Sequence, residues 1–234
     1  MKQMYSPMAE RTLFLAGITF LGGFLDSYTY MTRGGVFANN HTGNVAKLGI
    51  YLAQGNLDGA WNCLVPVIAC VFGAVASEWV KNHTGKEHSW RIRALLAETL
   101  VLLAIGYVPA SVPDSWVNTT LSFVTGFQLC LFRVSRWGAH NTTICTGNLR
   151  SVGQFLYGAC RERSRENWIR AIGYTLLVSA FVLGAAVGAQ ACLRAGSRAV
   201  LAGGLLSAVL TGALAGERIH VTITCYPAVV EEGQ

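Results

Sequence analysis

"HTGNVAKLGIYLAQG", residues 41–55, returns 104 positions later as "CTGNLRSVGQFLYGA", residues 145–159. The likeness runs upstream, where "FLGGFLDSYTYMTRGGVFANNHTGN" sits over "FVTGFQLCLFRVSRWGAHNTTICTGN". Phe20 lies over Phe123, Gly22 over Gly126 and Gly34 over Gly138. Thr42, Gly43 and Asn44 fall over Thr146, Gly147 and Asn148, and Gly49 over Gly153. Self-similarity at a near-constant offset describes an architecture built twice, so the repeat sets the frame for everything else.

Composition says what is being repeated. Of 234 residues, 52% are hydrophobic and only 13% charged, against about 25% charged in an ordinary soluble domain. Uncharged runs cover 59–77, 99–113, 115–132, 171–193 and 199–216, and a further run, 12–25, is closed by Asp26. A transmembrane helix needs roughly 20 mostly apolar residues. The expectation is an all-α polytopic membrane protein, with the first apolar run retained as a helix rather than removed as a signal. Its small-residue stripes, Ala69, Gly73, Ser77 and Ala180, Gly184, Gly188, suit close helix packing.

Several function classes drop out. The seven cysteines are scattered singly, with no CxxC pair, zinc spacing or HExxH, so neither a metal nor another cofactor is expected. The formal charge of +6 resides in short loops, where lysine and arginine orient membrane helices. No basic helix interleaved with aromatics is free to follow a phosphate backbone, so nucleic acid is not an expected partner. No nucleophile–base pair or phosphate loop stands out, and an enzyme is not expected.

Each repeat reads as helix, TGN segment, helix, helix: about 12–31, 42–55, 59–79 and 93–111, then 115–135, 146–159, 170–193 and 199–216. The two most basic loops contain Lys81, Lys86, Arg91 and Arg93, and Arg161, Arg163, Arg165 and Arg170. Both fall on the side of the N-terminus only if the TGN segments are re-entrant and the second repeat is inverted. Of the 18 lysines and arginines, only Arg33, Lys47, Arg194 and Arg198 then stand as exceptions. The reading is two inverted repeats, each three transmembrane helices plus one broken half-helix, about six spans in total. Residues 1–111 form the first repeat, 112–216 the second and 217–234 a cytoplasmic tail. Both termini face the cytoplasm.

Lipid tolerates non-helical backbone only against protein or a water-filled cavity. "TRGGVFANNHTGN" and "SRWGAHNTTICTGN" are too polar for lipid-facing helix. Thr42 and Thr146 suit the N-caps of the short helices that follow. Paired broken elements in inverted repeats point to a transport site, and helix N-termini favour an anion or polar acceptor.

These two motifs resemble those of the YoaK-like family of bacterial integral membrane proteins of unknown function. Gly23, Asp26, Gly34, Gly35, Thr42, Gly43 and Asn44 match the family pattern in the first motif. In the second, Gly126, Gln128, Thr146, Gly147 and Asn148 match, while Leu129 stands where the family commonly has Asn. The resemblance spans nearly the whole chain. It implies an inner-membrane protein of about six helices with a transport role, and supplies no substrate.

The function expected is secondary transport of a small polar or anionic solute, with proton coupling through Asp26 as an option. Thr42, Gly43, Asn44, Thr146, Gly147, Asn148 and Gln128 are the candidate substrate-binding residues. Intramembrane acids normally face a cavity or a partner, which makes Asp26 and Glu98 candidates for proton or ion coupling. For Asp26 the alternative is a structural tie, to Arg133 or as a backbone cap. For Glu98 it is snorkelling or pairing with Arg93 or Arg150. Lys47 and Arg150 either line an anion path or anchor the short helices. A passive channel for a small solute or ion is the competing reading. The expected partners are the lipid bilayer and a small-molecule or ion substrate, with a homodimer left open.

Overall fold

The computed structural model describes residues 12–84, 87–109, 111–132, 134–135, 138–139 and 145–225. Eight α-helices account for nearly all of them: α1 (Thr12–Thr32), α2 (His41–Ala53), α3 (Leu57–Thr84), α4 (Glu87–Ile105), α5 (Asp114–Leu129), α6 (Cys145–Glu162), α7 (Arg165–Ala195) and α8 (Val200–Cys225). One 3₁₀ turn, Gly196–Ala199, joins α7 to α8. The chain is therefore all-helical, apart from a two-residue antiparallel ladder between β1 (Val134–Ser135) and β2 (Gly138–Ala139).

The apolar runs become helices close to where expected, with several differences. The helix expected over 93–111 spans Glu87–Ile105 instead. The helix expected over 115–135 stops at Leu129, and the ladder begins within the polar stretch that follows. α8 runs on to Cys225, past the expected boundary at 216. Thr42 is not an N-cap: Asn40 holds that position in α2, and its side chain accepts from the Gly43 N–H at 3.2 Å. α6 likewise starts at Cys145, which places Thr146 inside its first turn. Arg133, the suggested partner of Asp26, lies outside the described residues, as do the N-terminal 1–11 and residues 226–234.

α1 is the centre of the molecule. Twelve of its residues are buried, and the seven large apolar side chains among them divide between two cores. Leu21, Phe24, Leu25 and Tyr28 pack with Leu102, Leu121 and Val200. Phe14, Leu15 and Ile18 pack with Trp90, Leu95, Phe132, Leu177 and Leu214. The hydroxyls of Thr19, Ser27, Thr29 and Thr32 fold back onto carbonyls of their own helix, so no polar group is stranded on this buried surface.

The principal helix contacts are α1 on α7, α5 on α3, α2 on α3, α6 on α7 and α4 on α8. Two of them are backbone-close. A Cβ at Gly23 would stand 2.1 Å from the Phe181 carbonyl oxygen, and one at Gly184 2.0 Å from that of Phe20. A Cβ at Gly73 would stand 2.1 Å from the Phe123 oxygen, and one at Gly126 2.4 Å from that of Cys70. Only glycine allows helices to approach so closely.

Two stretches, Leu57–His83 and Arg165–Glu217, are long and apolar enough to cross a membrane. Only 28% of the apolar window in each is buried within the protein, so their side chains do not serve as a soluble core. Phe72, Trp79, Ile172, Val182 and Leu183 all point outward.

Candidate functional site

α1 ends in two glycines with left-handed backbone, Gly34 (φ 75°) and Gly35 (φ 71°). That conformation is natural for glycine alone, and it turns the chain back along α1 before α2 begins. The segment 33–40 has no helical ladder to satisfy its backbone, so side chains supply the partners.

Three of them come from the flanking helices: Asp26 of α1, and Asn44 and Lys47 of α2. The Asp26 Oδ1 accepts from the backbone N–H of Asn39 at 2.6 Å and of Asn40 at 3.3 Å. Asn44 closes on Phe37 from both sides: its Oδ1 accepts the Phe37 N–H at 3.0 Å, and its Nδ2 donates to the Phe37 carbonyl at 2.8 Å. The Asn39 Nδ2 donates back to the Gly22 carbonyl at 3.1 Å. Lys47 donates to the Gly35 carbonyl and lies 5.3 Å from the Tyr30 ring centroid.

α5 holds the other edge. Asn118 Nδ2 donates to the Arg33 carbonyl at 2.7 Å, and Thr125 Oγ1 to the Ala38 carbonyl at 2.9 Å. The buried Arg33 guanidinium reaches the Tyr28 hydroxyl at 3.0 Å and Asp114 at 3.4 Å. The broken segment is thus tied to α1, α2 and α5 together.

Some polar atoms of this region are left over. Asn39 Oδ1, both ring nitrogens of His41, Arg33 Nη2 and Asn118 Oδ1 are buried without a hydrogen-bond partner. Asn39 and His41 flank the start of α2, while Arg33 and Asn118 meet where the end of α1 faces α5.

The expected site residues separate into groups. Thr42 is exposed, Gly43 is half-buried with its N–H capped, and Asn44 is fully buried and occupied with Phe37. Thr146 and Gly147 are exposed, and Asn148 is buried. Gln128 is elsewhere: its Nε2 donates to Glu98 Oε2 at 2.7 Å. Glu98 does not snorkel to an interface, being 2% exposed, and Gln128 takes the place expected for Arg93 or Arg150.

Asn39, His41, Arg33, Asn118 and Thr125 were not among the expected site residues. Their signals were present. Asn39 and His41 stand directly before the TGN triplet. Arg33 breaks the charge rule for loops, and Asn118 is an amide inside an apolar run. Among the described residues, no three His, Cys, Asp or Glu side chains converge to hold a metal.

The described residues form an all-helical bundle with two stretches long and apolar enough to cross a membrane, and a buried polar break follows its central helix. Residues 14–213 match the family model described as "Protein of unknown function (DUF1275)", and the chain belongs to that family. The match includes both TGN segments, in keeping with the YoaK-like resemblance. No curated protein and no solved structure matches the chain.

Proposed function

We propose that this chain is a multi-pass inner-membrane carrier for a small polar or anionic solute, with its site where the starts of α2 and α6 converge. The observation that carries the reading is the broken segment 33–40, closed by side chains yet lined by the unpartnered atoms of Asn39 and His41. Non-helical backbone at membrane depth is tolerated where it lines a cavity, and a half-helix start supplies donors for a polar solute.

The pattern of helix partners supports a two-fold repeat, which the loop charges read as inverted. Exchanging α1 with α5, α2 with α6, α3 with α7 and α4 with α8 converts the α1–α7 contact into α5–α3 and the α2–α3 contact into α6–α7. The glycine contacts obey the same exchange. Phe181 and Cys70, like Gly184 and Gly73, stand 111 positions apart, while Gly126 and Gly23, like Phe123 and Phe20, stand 103 apart. On this register Gly23 rather than Gly22 is the counterpart of Gly126, and Asp26 corresponds to Leu129. The outward-facing apolar side chains of α3 and α7 favour lipid on their outer surfaces, with about six spans and both termini cytoplasmic.

Asp26 has a double role in this reading. Its carboxylate occupies the backbone donors ahead of α2, so an anionic solute competes with it for the same positive helix end. Displacing or protonating Asp26 releases the segment 33–40, which links solute or proton to movement of the break.

The test is flux into proteoliposomes across a panel of small anions, carboxylates, nucleobases and neutral solutes. Saturable uptake of one class, lost with His41→Ala and altered with Asp26→Asn, is the expected result. Flux that is non-saturable and indifferent to Asp26→Asn makes the protein a channel. No flux from demonstrably folded protein removes the transport reading.

A further inference from the structure

A cavity of about 360 Å³ lies between α4 and α5, helices that meet only sparingly. Val101, Phe123, Phe127 and Leu131 give it apolar walls, and Glu98 and Gln128 provide its polar end. Thr120 also faces it, but its hydroxyl is spent on the Trp116 carbonyl of its own helix at 2.9 Å. The size falls within the range of about 300–1,000 Å³ usual for small-molecule sites.

The polar end is incomplete. Gln128 Nε2 satisfies Glu98 Oε2 at 2.7 Å, whereas Glu98 Oε1 is buried with no partner. The adjacent Thr99 turns the other way, to Ser207 on α8 at 2.8 Å. An ionised carboxylate only accepts hydrogen bonds, and an unpaired buried charge is unfavourable. A positively charged donor at Oε1 would complete the group as a carboxylate, where the empty cavity favours the neutral acid. The walls require that it carry an apolar body, and the faces of Phe123 and Phe127 suit both a cation and a ring.

We propose that the α4–α5 cavity is a binding site for a primary ammonium with an aryl or alkyl body. The ammonium donates to Glu98 Oε1, and the body packs against Phe123, Phe127 and Leu131. An anion is excluded by the same carboxylate. The site is separate from the α2 start, and its occupancy holds or fails whether or not the chain transports a solute.

The probe is 4-fluorobenzylammonium, titrated by fluorine NMR into the full chain in lipid nanodiscs, with empty nanodiscs as the baseline. 4-Fluorobenzyl alcohol and 4-fluorobenzoate are run beside it. Saturable binding of the ammonium is expected, at least tenfold weaker for the alcohol and absent for the benzoate. Glu98→Gln should weaken it tenfold or more. Ala97→Phe fills the cavity from an exposed position without removing the carboxylate, and should abolish binding. Each variant's thermal melt reports whether it folds. Binding no greater than that of empty nanodiscs overturns the proposal. Retention in Glu98→Gln overturns the ammonium contact, and retention in a folded Ala97→Phe overturns the cavity.

Discussion

Asn44 and Phe37 form a two-bond clamp in which a side-chain amide takes the place of a β-strand partner, 3.0 Å to the N–H and 2.8 Å to the carbonyl. Sequence position suggests a solute ligand for Asn44. Its geometry makes it the fastener of the broken segment, because both ends of the amide are already engaged. A fastener and a ligand fail differently when removed.

Asn44→Ala strips the Phe37 backbone of both partners. An unsatisfied buried polar group costs about 1–3 kcal/mol, so the variant should melt several degrees lower in detergent. The loss should appear without any solute. A variant that melts like the parent but binds solute more weakly would restore the ligand reading.

Asp26 makes a comparable prediction with a finer split. Asp26→Asn keeps an oxygen for the Asn39 and Asn40 N–H groups, whereas Asp26→Ala leaves both without an acceptor. Amide exchange at Asn39 should therefore accelerate slightly in the first variant and by roughly tenfold or more in the second, a change of about 1.4 kcal/mol or greater in opening free energy. Equal exchange in both would show that the carboxylate does not hold the segment.

Much of the fold was legible because apolar runs and glycine breaks obey simple rules. All eight helix positions follow from uncharged stretches and the TGN spacing, with α4 displaced towards the N-terminus, and the charge rule picked out Arg33 as anomalous. What failed were matters of tertiary pairing. Thr42 has the right chemistry for a cap, yet Asn40 takes the position because the chain leaves α1 through two left-handed glycines and enters α2 earlier. The Asn44–Phe37 clamp depends on that same loop path. Gln128 and Glu98 were both singled out, but nothing in either helix's sequence indicates that the two face each other. The one-residue register difference between Gly22 and Gly23 is equally invisible until their packing partners are known.

That register difference is itself testable with matched glycines. Gly23→Ala and Gly126→Ala place a methyl 2.1 and 2.4 Å from backbone oxygens of α7 and α3, which neither helix can yield by a side-chain rotation. Overpacking of this kind costs typically about 1–3 kcal/mol, occasionally more. Gly49 and Gly153 are also matched across the repeat, but a Cβ at either meets nothing within 4 Å. Gly49→Ala and Gly153→Ala should raise the melting temperature slightly, since alanine is favoured over glycine in a helix by up to about 1 kcal/mol. Equal destabilisation in all four would remove the assigned helix crossings.

The last prediction concerns Arg33 and Asp114, 3.4 Å apart and joining the end of α1 to the start of α5. Arg33 is 3% exposed and Asp114 46%, so the two ends of the pair differ in weight. Asp114 remains hydrated, and its ion pair should contribute less than about 1 kcal/mol. Arg33 also reaches the Tyr28 hydroxyl at 3.0 Å, and its aliphatic stem is buried with it. Asp114→Asn should thus leave the melting temperature almost unchanged, while Arg33→Ala lowers it markedly through lost packing and an unpaired tyrosine hydroxyl. Added salt should move the parent and Asp114→Asn alike if the exposed pair is weak. A large, salt-sensitive loss in Asp114→Asn would instead make this contact a principal bond between α1 and α5.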